Sequence, residues 1–122
     1  QKSMGFYNRL AYHDYQGISN DTEERDSIVR DLGNHHSMIL RNHGLLCTGR
    51  TIAEAFQHIR YLQPACELQL MAQASGAELI IPPKEVCEHA ASQFDGDGAP
   101  RGGDQFAAFV RMLDREEPDY KH

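Results

Sequence analysis

Residues 38–49, Met-Ile-Leu-Arg-Asn-His-Gly-Leu-Leu-Cys-Thr-Gly, place two apolar triplets around a polar knot. Runs as short as Met38-Ile39-Leu40 and Leu45-Leu46-Cys47 are strand-length and too brief for helices. Arg41-Asn42-His43-Gly44 between them reads as a tight turn, because Asn and Gly accept the backbone angles that turns demand. The stretch therefore predicts strand, turn, strand over residues 37–48. A turn of this kind carries the His43 imidazole to the rim of the sheet, and Gly44 lets a ligand approach the backbone closely.

The elements on either side follow from periodicity and capping. After the hairpin, Thr51-Ile52-Ala53-Glu54 is a capping box. Ile52, Ala55, Phe56, Ile59, Leu62, Cys66 and Leu70 then recur at helical spacing through residues 51–75. Pro64 interrupts this helix, removes one hydrogen bond and meets the carbonyl of Arg60, so a kink is expected there, with Gly76 as the stop. Before the hairpin, Asn20 or Asp21 with Glu23 or Glu24 caps a helix over residues 20–33. Its apolar stripe is Ile28, Val29 and Leu32, and Gly33 ends it. The acidic run Glu23-Glu24-Arg25-Asp26 reads as a solvated face. Residues 1–19 suggest two short strands or loops, with a turn at Gly17-Ile18-Ser19. Leu79-Ile80-Ile81 reads as a brief extended segment. Lys84 to about Phe94 is helical, with Val86, Ala90, Ala91 and Phe94 on one side. Asp95 to Gly103 is a loop. Asp104 caps a last helix with Phe106, Phe109, Val110 and Leu113 on one face, stopped by Glu116-Glu117-Pro118.

Composition narrows the function classes. The chain has 122 residues, one domain's worth. It is 40% apolar and 25% charged, ordinary for a globular protein. A net charge of -6 without a basic stripe argues against nucleic acid as a partner. No apolar run is long enough to span a membrane. The three cysteines, Cys47, Cys66 and Cys87, are odd in number and form no CxxC pair, so neither a disulfide framework nor a zinc knuckle is indicated. A cytoplasmic location is expected. The chain begins at Gln1 and reads as a piece whose natural start lies further upstream.

Few residues offer chemistry. His43 can ligate a metal through its neutral imidazole, yet a catalytic zinc takes about three protein ligands. The plainer reading is a turn histidine with a satisfied hydrogen bond. His35-His36 are adjacent and point apart on an extended chain, which suits a solvated loop. His58 falls off the apolar stripe and reads as a surface or interface residue. His13, His89 and His122 have no partner at useful spacing. Asp95, Asp97 and Asp104 lie among glycines but lack the EF-hand pattern, so a flexible loop is preferred to a calcium site. There is no nucleophile elbow, phosphate loop or dinucleotide fingerprint.

Met38 to Phe56, with "RNHG", an apolar pair and "GRTIAEAF", resembles the class II aldolase/adducin family. Residues 6–18 (FYNRLAYHDYQGI) and 113–120 (LDREEPDY) are similar to adducin-like members. The resemblance implies an α/β fold, a three-layer α/β/α sandwich around a mostly antiparallel sheet. It also implies, in the aldolases, a divalent metal, commonly zinc, held by three histidines. The third of these, in the "NHG" turn, corresponds to His43. The other two, in a His-x-His, and an acid/base Glu precede that turn in the family. This sequence has no His-x-His, and only 42 residues precede His43. Residues 1–122 are therefore expected to be the C-terminal portion of a single such domain, with no catalytic residue of their own and the acid/base Glu before Gln1. The implied whole is a carbon–carbon lyase, or a related epimerase or decarboxylase, acting on a small carbonyl or sugar-like substrate that can be phosphorylated. It would form a homo-oligomer, tetrameric in family aldolases, to whose shared sites Tyr120 is a candidate contributor. The alternative is a non-catalytic adducin-like interaction module. In isolation, the 122 residues are expected to be inactive.

Overall fold

The short apolar runs become strands and the 3.6-residue stripes become helices. The computed structural model describes residues 2–17, 22–96 and 98–121. A 3-10 turn over Lys2–Phe6 leads into β1, Leu10–His13. Then come α1 (Thr22–Leu32), β2 (Ser37–Leu40) and β3 (Gly44–Cys47). The chain continues as α2 (Ile52–Ala74), α3 (Lys84–Asp95), α4 (Gly103–Glu116) and a 3-10 turn over Pro118–Lys121. The caps expected at Asn20 and Asp21, the turn at Ile18-Ser19, and the readings of Asp97 and His122 lie outside the described residues.

The sheet has the order β1-β2-β3. β2 and β3 are the antiparallel hairpin, with Ile39 opposite Leu45 and Leu40 opposite Gly44. β1 joins β2 in parallel, with Leu10 beside Ser37 and His13 beside Leu40. The sheet is therefore mixed, not mostly antiparallel as expected. The physical reason is the connection: α1 lies between β1 and β2, and a helical crossover returns the chain to the same end of the sheet. Strand alternation splits the side chains between two faces. His13 meets Asp31 and Glu24 of α1 on one face. The other face carries Tyr12, Ile39 and Leu45 toward Leu62 and Cys66 of α2, all lining one groove. With α1 and α2 on opposite faces, the result is an α/β/α sandwich.

Local departures from the expected pattern have packing causes. Val29 is exposed, while Glu24 and Ser27 are buried. The buried face of α1 is turned because His13 draws its carboxylates inward. The acidic run is thus split, with Arg25 and Asp26 in solvent and Glu24 inside. α2 begins as expected, the Thr51 hydroxyl accepting from the Glu54 amide at 3.2 Å. It runs without a break through Pro64. Pro64 and Arg60 are both exposed, so water can satisfy the carbonyl that the proline frees. Only the middle of the stripe packs: Leu62 is buried, but Ile52 at its start and Leu70 at its end are not. Gly49 is required by proximity, since a Cβ there would lie 2.6 Å from the Ala55 amide nitrogen. α4 starts one residue before the expected Asp104 cap, and Gly102 takes the cap position at φ 87°. A Cβ on Gly102 would lie 2.5 Å from the Ala53 carbonyl oxygen, so α4 sits against α2 through a glycine. Phe56 receives Phe106 and Phe109 edge-to-face at 5.5 and 5.6 Å. Of the segment read as two short strands or loops, the described residues 2–17 hold one strand and a 3-10 turn, and Leu79-Ile80-Ile81 is exposed coil.

Candidate functional site

The turn that joins β2 to β3 is built from its own backbone. The His43 amide donates to the Leu40 carbonyl at 3.0 Å. Asn42 takes a left-handed φ of 58°, which its short polar side chain tolerates better than most residues. The Arg41 amide donates to the His13 carbonyl at 3.0 Å, so β1 braces the turn from the side. Arg41 does not orient His43. Its guanidinium pairs with Asp14 at 2.5 Å and lies 5.3 Å over the Tyr12 ring. His43 itself is exposed. Beside it runs a groove of about 500 Å³ between the sheet and α2, lined by Tyr12, Ile39, Leu45, Leu62 and Cys66. A volume of that size admits a small molecule.

Metal ligation from this chain alone is limited. Among the described residues no three His, Cys, Asp or Glu side chains come together as a set that could hold a metal ion. His43 fits the role of one donor, exposed on a fixed turn, but the set around it is incomplete. The cysteines do not help. Burial pushes the Cys47 and Cys66 thiols up from their ordinary value, so the thiolate that would bind metal is disfavoured at neutral pH. Cys87 is buried.

The other sequence candidates scatter. His35 and His36 precede β2, and the His36 ring stacks on His58 at 5.7 Å. His58 is half-buried and its Nδ1 donates to the Thr48 carbonyl at 2.8 Å. Tyr120 is exposed, and its hydroxyl donates to Asp114 at 2.8 Å, which raises the phenol's pKa. Asp95 accepts from Arg9 rather than facing Asp104.

The sequence missed the partners of His13 and Glu54. His13 is 3% exposed, and its Nδ1 lies 2.8 Å from the Asp31 carboxylate. That hydrogen bond holds the Asp31 carboxyl below its ordinary value, so Asp31 accepts and His13 Nδ1 donates. The opposite nitrogen, Nε2, is buried with no hydrogen-bond partner among the described residues, 4.0 Å from Glu24. An apolar strand position and a carboxylate 18 residues on give no local signal of this pairing. It pins α1 to β1, which in turn braces the His43 turn. His13→Ala is expected to lower stability by about 2 kcal/mol, from the lost charged hydrogen bond and the cavity left behind. A urea titration checks it, and a midpoint equal to wild type would show that the pairing contributes nothing.

The comparisons with known proteins agree with this architecture. The family model described as class II aldolase and adducin N-terminal domain matches residues 1–70. A protein of Pseudomonas aeruginosa whose name places it among class 2 aldolases is 39% identical, covering 99% of this chain and 48% of its own length. Alpha-adducin of Rattus norvegicus is 39% identical over 86% of this chain and 16% of its own length. The crystal structure of an aldolase II superfamily protein from Pseudomonas syringae superposes with a TM-score of 0.87 at 39% identity, covering 100% of this chain and 50% of that one. The chain thus spans about half the length of the bacterial relatives it matches. One expectation is overturned. The chain was expected to be only the C-terminal part of the domain, yet it matches the fold along its whole length, and the family model matches residues 1–70. That expectation was drawn from motifs the sequence lacks, whereas the fold is set by the β1-α1-β2 crossover, the hairpin and α2, which it has. With the family model matching more than half of its residues, from the 3-10 turn through most of α2, the chain belongs to the class II aldolase/adducin family.

Proposed function

We propose that this chain serves a metal-dependent carbon–carbon lyase of the class II aldolase type, or a related epimerase or decarboxylase. The substrate is a small sugar-like carbonyl compound, with or without a phosphate. His43 is one ligand of a divalent metal, zinc in the first instance, and the remaining donors come from outside the described residues. The observation that carries this reading is the exposed His43 held on a braced turn beside a groove of about 500 Å³. When bound, the metal supplies Lewis-acid polarisation of a carbonyl. Because the described residues form no complete ligand set, no catalytic step is assigned to them. Their contribution is positional. The Leu40 carbonyl and β1 fix the turn, and Tyr12, Ile39 and Leu45 line an apolar wall that excludes water. Free cysteines fit a reducing cytoplasm. No described helix is long and apolar enough to cross a membrane.

A second reading is a non-catalytic interaction module. The observation favouring it is the apolar surface on the far end of α2, where Leu68, Leu70 and Met71 are each more than 60% exposed. The same surface fits assembly into a homo-oligomer. Metal content of the whole protein separates the readings. Wild type is expected to retain about one metal per chain after dialysis, and His43→Ala to bind it at least about tenfold more weakly. His43 is exposed, so the substitution leaves folding nearly unchanged. Metal retained equally by both proteins would remove His43 from the site, and no metal in wild type would favour the module.

A further inference from the structure

We propose that a second cleft, at the other end of the hairpin from His43, binds a small ligand bearing an oxyanion, phosphate or carboxylate. β2 and β3 are each four residues long, so the two ends lie about 10 Å or more apart. The 41–43 turn closes one end, and His36 and Thr48 stand at the other. There the 3-10 turn Lys2–Phe6, the first turns of α2 and the segment after α3 enclose about 570 Å³, within the range of small-molecule sites.

The charge on its walls runs opposite to that of the chain. The protein carries a net charge of -6, yet among the described residues the cleft is lined by Lys2, Arg9, Arg50 and Arg101 against Glu54 and Asp95. Both carboxylates are already engaged. Glu54 accepts from Arg50 and from the Arg101 amide, and Asp95 accepts from Arg9. Even with Glu88, which also holds Arg9, the positive groups outnumber the negative ones. The described wall is basic on balance, which favours an anion over a cation in the cleft.

Two further donors, Lys2 and Tyr61, line this space. The Lys2 ammonium sits 4.5 Å over the Tyr61 ring and makes no ion pair with a described carboxylate. The Tyr61 oxygen accepts from Gln57 at 3.3 Å and from Gln105 at 3.2 Å. With its acceptor sites filled, the hydroxyl has its proton left to donate. Those same amide donors, followed by Lys2 and Arg60, hold the phenol below its ordinary value, which makes it a better donor to an anion. The His36–His58 stack flanks them. His58 is held there by its Nδ1, which donates to the Thr48 carbonyl at 2.8 Å. Arg50–Glu54 and Arg9–Asp95 explain themselves as structural pairs. Lys2 and Tyr61 belong to neither pair, and they carry the proposal.

Amide NMR of the protein titrated with inorganic phosphate and, separately, with malonate tests it. Sodium chloride at matched ionic strength is the control. The expected result is saturable shifts at His36, Gln57, His58 and Tyr61, with Arg41–Gly44 unmoved. The tighter of the two anions identifies the oxyanion. Lys2→Gln and Tyr61→Phe are each expected to weaken binding by about tenfold, one charge-assisted hydrogen bond's worth. Lys2 is exposed and the Tyr61→Phe change keeps the ring, so the variants remain folded. Shifts no larger than those with chloride, shifts at the 41–43 turn instead, or affinities untouched by both substitutions would overturn the proposal. None of these outcomes bears on metal binding at His43.

Discussion

Glu54→Ala is expected to cost about 2–3 kcal/mol of stability, from the hydrogen bonds that a buried carboxylate accepts. Glu54 is 5% exposed and holds three parts of the chain together. One oxygen accepts from the Arg50 amide at 2.7 Å and from Arg50 Nε at 3.2 Å. The other accepts from Arg50 Nη2 at 2.7 Å and from the Arg101 amide at 3.4 Å. The side chain therefore ties the residue before α2 to the segment that leads into α4. Glu54→Gln keeps the shape, loses the charge, and is expected to lose about half as much. The Arg50 hydrogen bonds, partly opposed by burial, lower the Glu54 pKa from 4.5 to about 2. A carboxyl whose folded pKa is depressed contributes stability above its unfolded value and loses it as pH falls through the folded one. The contribution is thus full above about pH 4.5 and disappears toward pH 2. Urea titrations of wild type and Glu54→Gln should show a gap in stability at pH 7 that narrows steadily below pH 4.5. A gap that stays constant down to pH 2 would mean the charge is not what Glu54 contributes.

Leu62→Ala and Met38→Ala should each destabilise by about 2–5 kcal/mol, the usual cost of emptying a filled core position. Leu62 is 1% exposed on α2, and Met38 is fully buried on β2. They are the two largest fully buried side chains. A loss of this size is a large share of the roughly 5–15 kcal/mol that a domain has in total. Leu70 sits two turns beyond Leu62 on the same helix and is 67% exposed, so Leu70→Ala should stay within about 0.5 kcal/mol. Thermal and urea unfolding of the three variants give the comparison. If Leu70→Ala costs as much as Leu62→Ala, the end of α2 is covered in solution by something outside the described residues. That result would turn attention to assembly.

Element types were readable from local signals. The hairpin followed from two apolar triplets around Asn-His-Gly, and the start of α2 from Thr51 and Glu54 at capping distance. Both depend on atoms a few residues apart, which is why a linear pattern reports them. The face that each helix buries was less readable. The stripe Ile28-Val29-Leu32 predicted one side of α1, and the His13 ring selected another by drawing Asp31 and Glu24 inward. The α2 stripe continues through Leu70, but nothing among the described residues packs against its far end, and no pattern within the helix marks where packing stops.

The candidate site divides in the same way. His43 was legible because a turn histidine in an "NHG" motif is a local feature. That Arg41 would be committed to Asp14 was not, since the partner is 27 residues away. Nor was the surplus of positive charge in the second cleft, whose walls come from residues 2–9, 34–61 and 94–101.

By itself, the sequence determined the hairpin, the helices, the Thr51 cap and a family motif that puts His43 on a turn. Tertiary structure decided the parallel placement of β1, the buried His13–Asp31 pairing, the role of Glu54 and the walls of both cavities. The reason is range. Hydrogen-bonding patterns and side-chain periodicity act over three or four residues. Burial and electrostatic partnership are settled only when distant segments are brought within a few ångströms of each other.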